Sequence, residues 1–117
     1  MVLKYGVDIK VETIINDLNR IINQIFKLLP LREEGHDWIT PLHNLRMEII
    51  GMNKILFEET SNDLILDQSV LFSLLCKMEA LTTLIEENDY LDFRKLIFEC
   101  LNLLKQFKFS FEKKNGG

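Results

Sequence analysis

The densest run of residues able to do acid–base or metal chemistry is Glu33, His36 and Asp37, with His43 a few positions further on. Imidazole and carboxylate together can hold zinc or exchange protons near neutral pH, so the run defines one candidate function: a metal-dependent hydrolase working through His36, Asp37 and His43. Completing such a centre takes more ligands. The spacing from Glu33 to His36 is the Glu-x-x-His of di-iron bundles, but those centres need a second such motif and two further inward-facing glutamates, which the chain lacks. His36 stands beside Gly35 in a stretch that reads as a loop, and His43 falls off the apolar face of its segment. A solvent-exposed or helix-capping role is the simpler account of both.

Other chemistries fail on spacing. Helical ribonucleases of the higher-eukaryote-and-prokaryote nucleotide-binding class use Arg, four intervening residues and His, whereas Arg32 and His36 have three between them. All-helical nucleotide pyrophosphohydrolases pair Glu-x-x-Glu with Glu-x-x-Asp to hold magnesium, and Glu58, Glu59, Glu86 and Glu87 do not supply that pattern. There is no glycine-rich phosphate loop, no zinc-type cysteine cluster and no nucleophile elbow. No catalytic, metal-binding or cofactor-binding residue is assigned, and no cofactor is expected. The two cysteines, Cys76 and Cys100, read as reduced core thiols of a cytoplasmic protein. Each lies twelve residues from Asn88, so a tight turn there would set them at similar height on two antiparallel helices.

Charge narrows the partners. At −4 overall, the chain has no broad field to attract phosphate, which makes nucleic acid an unlikely partner; the local exception is Lys105, Lys108, Lys113 and Lys114, the basis of a nucleic-acid alternative. The acidic groups form two clusters, Glu58, Glu59, Asp63 and Asp67 and then Glu86, Glu87, Asp89 and Asp92, that fall at different ends of an up-down bundle; Asp67, Asp89 and Asp92 stand at helix starts, where the dipole favours them. No apolar stretch approaches the roughly 20 residues needed to span a bilayer, and residues 1–8 show no secretory signal. No membrane partner is expected.

The elements that must position these groups are helices. Apolar residues at Ile14, Ile15, Leu18, Ile21, Ile22, Ile25, Phe26 and Leu29 repeat every three or four positions and predict a helix over 9–29, capped by Asp8 and ended by Pro30. Thr40 before Pro41 predicts a second helix over 41–59, with Trp38 and Ile39 folded back on Leu45 and with Gly51 kept small where another helix crosses. Asp67 caps a third helix over 68–87, and Asn88–Asp89 turns into a fourth over 90–109, frayed from about 112. Phe107, Phe109 and Phe111 alternate, but three residues do not establish a strand. The fold class is all-α: an antiparallel four-helix bundle, one domain of 117 residues.

The apolar content exceeds what a bundle requires. A four-helix monomer buries about three positions in seven, yet Phe72, Cys76 and Ala80 in the third helix, and Tyr90, Leu91, Phe98, Leu103, Phe109 and Phe111 around the fourth, widen the apolar surface beyond that. The excess predicts a non-enzymatic protein-binding module, a regulator, inhibitor or assembly factor and a homodimer, with Phe72, Phe98, Phe109 and Phe111 as contact residues. Richness in Ile, Asn, Lys, Leu and Phe points to an AT-rich gene, hence to a phage or mobile-element protein that inhibits a host defence system.

Overall fold

A computed structural model of the chain describes residues 2–60 and 68–115, with side chains over 12–54 and 69–113. Among the described residues every regular element is helical: α1 (Val2–Phe26), α2 (Leu28–Glu33), α3 (Ile39–Thr60), α4 (Gln68–Leu81), a 3₁₀ turn (Glu87–Asp89) and α5 (Tyr90–Asn115). None of these helices is long and apolar enough to cross a membrane.

The first helix begins at Val2, so Asp8 lies inside it and does not cap it. Pro30 does not end it either. The chain breaks register at Lys27 and goes on as α2, with Lys27 N–H donating to the Asn23 carbonyl and Leu31 N–H to that of Lys27. Proline lacks the N–H that would reach back to Phe26, so one rung is lost and the helix steps rather than stops. A glycine cap is what ends it. Gly35 takes a φ of +79°, its N–H bonds the Arg32 carbonyl at 3.1 Å, and the His36 N–H bonds that of Leu31 at 2.8 Å, the paired bonds of a Schellman motif.

α3 starts earlier than Thr40–Pro41 suggests, because Asp37 is its cap: one carboxylate oxygen accepts the N–H groups of Ile39 (3.0 Å) and Thr40 (3.2 Å). Trp38 folds inward against Phe93 of α5, with ring centroids 4.7 Å apart, and Ile39 stays exposed. The other departure is α4, which ends at Leu81 rather than 87. Thr82 and Thr83 turn their hydroxyls back onto the carbonyls of Glu79 and Ala80 (2.6 and 2.7 Å), tightening the last turn and releasing the chain. Ile85, which a helix running to 87 would carry on its apolar stripe with Leu74, Met78 and Leu81, is therefore exposed in a connection. Asp67 and the 61–67 break lie outside the described residues.

α5 packs along α4 and α1, and α3 along the same two, so the long helices form a ring in the order α1, α5, α4, α3. Cross-pairs fix their directions. Arg20 meets Glu48 at 2.9 Å, positions symmetrical about residue 34, and Lys77 meets Glu99 at 2.8 Å, symmetrical about residue 88. Phe26 meets Phe98 while Arg32 reaches Phe93, so α1 and α5 also run oppositely. This is an antiparallel up-down bundle. Its interior is a stack of Leu18, Ile21, Ile25 and Leu28 against Leu42, Leu45 and Ile49, Leu71, Leu74, Met78 and Leu81, and the α5 series Phe93, Ile97, Cys100, Leu104, Phe107 and Phe111.

The two glycines carry opposite expectations. A Cβ at Gly51 meets nothing within 4 Å, so no close helix crossing holds this position small. Gly51→Ala is expected to raise stability by about 0.5–1 kcal/mol through helix propensity. Gly35→Ala is also free of collisions but is expected to lose about 1 kcal/mol, since only glycine takes the left-handed cap without strain. Urea unfolding of both variants checks the pair, and equal signs would contradict one of the two assignments.

Candidate interaction surface

Of the residues with the chemistry to form a catalytic site, Asp37 is taken up by helix capping, while His36 and His43 are exposed. The Asp37 carboxyl is held below its usual range, chiefly by a hydrogen bond from the Thr40 hydroxyl and then by the helix N–H groups it accepts. That is a capping role. His36 lies 3.8 Å from Glu34 with both side chains exposed, and His43 is exposed on the first turns of α3. Among the described residues no three His, Cys, Asp or Glu side chains are placed to share a metal ion.

The polar centre of this end is Arg32, which sequence reasoning passed over. Its guanidinium donates to the carbonyls of Leu84 and of Glu86 (2.7 Å), groups that the early end of α4 leaves without helical partners. Its plane is enclosed by aromatic rings, 4.5 Å from the centre of Phe93, 5.2 Å from Trp38 and 5.9 Å from Tyr90. The Tyr90 hydroxyl bonds Glu33, and its pKa is raised first by burial and then by that carboxylate. Arg32 and Glu33 thus fasten the α2 end to the α4–α5 connection. This is a joint in the fold.

The cysteine geometry was half legible. The Lys77–Glu99 pair, one residue along on each helix, shows that Cys76 and Cys100 do sit at matching heights. Their side chains diverge, however: Cys76 is exposed, while Cys100 is fully buried and its thiol pKa is pushed up to about 12, mainly by that burial. The core reading holds for Cys100 alone.

The expected contact residues lie mostly on the outer surface. Of the four aromatic contact residues expected from sequence, Phe72, Phe98 and Phe109 are exposed and Phe111 is not. Phe111 is 2% exposed and stacks on Phe107 at 6.0 Å, because α5 continues to Asn115 instead of fraying from about 112 and carries the core stripe one step further. Sequence reasoning counted Leu91 in the apolar excess without making it an anchor, and took Phe26 for core.

On α5, Leu91, Phe98 and Phe109 are spaced seven and eleven residues apart, which brings all three within about 20° of one line on the helix surface. They are 76%, 39% and 68% exposed. Phe26 of α1, half exposed, meets Phe98 edge-on at 6.4 Å and carries the stripe across the seam between the two helices. Arg94 lies over the Phe98 ring at 5.6 Å. Lys95 and Lys105 are exposed along the same line, as is Lys113, whereas Lys108 is half-buried. Phe72 stands apart on α4. Met47 and Ile50 are likewise exposed on α3, the helix that the Arg46–Glu79 pair (3.8 Å) ties to α4.

Comparison with protein-family models, with curated proteins and with solved structures finds no match.

Proposed function

We propose that this chain is a non-enzymatic protein-binding module, a regulator, inhibitor or assembly factor that works inside a cell by docking a partner on α5. One observation carries the reading: Leu91 and Phe109 face solvent on one line of α5, with the part-exposed Phe98 between them joined to Phe26 across the α1–α5 seam, a stripe separate from that helix's buried series. Apolar side chains lined up in this way mark interaction sites, and large aromatics are the usual anchors of binding energy. The cellular setting rests on Cys76, an exposed thiol suited to a reducing compartment. The narrower reading, a phage or mobile-element inhibitor of host defence, rests on amino-acid bias alone.

Affinity purification from the native host, followed by mass measurement of the complex in solution, tests the proposal. The expected result is a stoichiometric complex that Leu91→Ser/Phe109→Ser abolishes while thermal unfolding stays within a few degrees of the parent, since both side chains point to water. A complex indifferent to that double substitution, or one seated on Phe72 instead, would remove α5 from the account.

A further inference from the structure

Charge on the stripe says what kind of partner fits it. α5 holds six basic residues (Arg94, Lys95, Lys105, Lys108, Lys113, Lys114) against three acidic ones (Asp92, Glu99, Glu112), a net of +3; since the whole chain is −4, the remainder carries −7. The imbalance is greater at the surface, because Glu99 is engaged with Lys77 of α4. Counting about 100° per residue, Arg94, Lys95, Lys105 and Lys113 all lie within about 60° of the Leu91–Phe98–Phe109 line, with Glu112 the one acid in that sector. An acidic protein thus presents a basic band with apolar anchors set into it.

We infer, on the basis of the protein-binding reading above, that the α1–α5 face takes an acidic amphipathic helix of a partner protein. The seam has the form such a helix needs. Phe26 level with Phe98 and Glu33 level with Tyr90 place Ile22 at the height of Asn102 and Ile15 at that of Phe109. Both isoleucines are half-buried against the core, so an apolar floor runs along α1 beside the anchors. From Leu91 to Phe109 is about 27 Å, five turns of an incoming helix. Carboxylates flanking its apolar face would meet Arg94, Lys95 and Lys105, which steers encounter and sets orientation.

Other occupants fit the same surface less well. In the antiparallel two-fold register that sets Leu91 of one copy against Phe109 of the other, Lys95 falls opposite Lys105 twice over, so a second copy repels itself. Bases need successive open ring faces to stack on, whereas the Phe98 ring is covered by Arg94 and edged by Phe26 and Leu91 offers no ring, which leaves Phe109 as the one open ring of the three anchors.

Three display libraries of a 22-residue helix test the assignment. Each has its anchors randomised among Leu, Ile, Met and Phe, and its flanks are acidic, neutral or basic. Enrichment on the full chain is expected from the acidic library. Binding should weaken at least tenfold between 50 and 200 mM salt, and at least tenfold on Phe109→Ser or on Lys95→Glu/Lys105→Glu, two changes at exposed positions that leave circular dichroism intact. A stripe-dependent binder drawn equally from the neutral or basic library overturns the acidic assignment and leaves the protein-binding reading standing. So does self-association that Phe109→Ser abolishes. No binder sensitive to Phe109→Ser from any library overturns both, as does capture of a labelled single-stranded oligonucleotide or an anionic vesicle in its place.

Discussion

Replacing Phe93 by alanine is expected to cost about 4 kcal/mol, the largest loss expected from any of these substitutions, and to lower Tm by roughly 15 °C in a domain of this size. The ring is fully buried at the first turn of α5. It touches Trp38 edge-on at 4.7 Å and Tyr90 at 6.5 Å, and the Arg32 guanidinium lies 4.5 Å from its centre. Truncation therefore removes core volume at the place where the α2 end, the start of α3 and the α4–α5 connection converge. Surrounding groups cannot collapse into the gap without moving three segments at once. Phe93→Leu, which keeps most of the volume, should cost about 1.5 kcal/mol or less. Urea denaturation followed by helical circular dichroism measures both; a loss below about 2 kcal/mol for the alanine variant would mean that this end of the bundle is not closed around the ring.

Arg32→Met should lower stability by about 2–3 kcal/mol. Methionine retains much of the apolar stem, so the loss reports the guanidinium itself. Two charged donors are withdrawn from the Leu84 and Glu86 carbonyls, and three aromatic contacts lose their cation. The bond to Leu84 is partly buried and that to Glu86 is exposed, which is why the total stays short of two fully buried charged bonds. Arg32→Lys should recover only part of it, because an ammonium can neither span both carbonyls nor stack flat on the rings. Combined with Phe93→Leu, Arg32→Met should be non-additive by about 1 kcal/mol, since the two side chains share one contact. Strict additivity in equilibrium unfolding would contradict the stacked arrangement.

Much of the fold was readable from the chain. The three-and-four repeats in Leu18–Ile21–Ile25, Leu42–Leu45–Ile49 and Leu71–Leu74–Met78 are the buried faces of three helices, and the symmetry of Cys76 and Cys100 about residue 88 is realised in the neighbouring Lys77–Glu99 pair. Boundaries were harder. Pro30 reads as a stop by local rule, yet a helix that gives up one rung can continue, and here α2 runs three residues past the proline, to Glu33. Thr40–Pro41 reads as a start, yet the Asp37 carboxylate accepts the N–H groups of Ile39 and Thr40 and so opens the helix earlier, at Ile39. Ending α5 at 109 detached Phe111 from the series Phe93, Ile97, Cys100, Leu104 and Phe107, whose steps of four and three include it.

Some features had no local signal. Arg32 finds its carbonyl partners 52 and 54 residues away, and its aromatic enclosure combines Trp38 with Tyr90 and Phe93 from another helix. Nothing in the neighbourhood of Arg32 announces that meeting. The interaction stripe was a matter of phase. Leu91, Phe98 and Phe109 follow a helical spacing of their own, rotated away from the core series, and two interleaved apolar series on one helix are a readable sign that it has two jobs. Reading α5 as a single widened face concealed the distinction between Phe109, which meets water, and Phe111, two residues on, which does not.

A structural role accounts for Glu33 and Asp37 of the acid–base cluster. Glu33, Gly35 and Asp37 lie close together because one connection must end α2, turn and begin α3, and each residue has a part in it. Glu33 ties to Tyr90, Gly35 supplies the left-handed cap, and Asp37 collects the first N–H groups of the next helix. The proposed docking face lies instead on the long helices, where Leu91 and Phe109 stand outside the core.

Titration of the selected acidic helix into isotopically labelled protein, followed by side-chain chemical shifts, tests that placement most directly. Resonances of Phe26, Leu91, Phe98 and Phe109 are expected to move together and saturate with the peptide, while those of the exposed Met47 and Ile50 of α3 and Phe72 of α4 stay in place. Shifts confined to Met47, Ile50 and Phe72, with the α5 stripe silent, would contradict it.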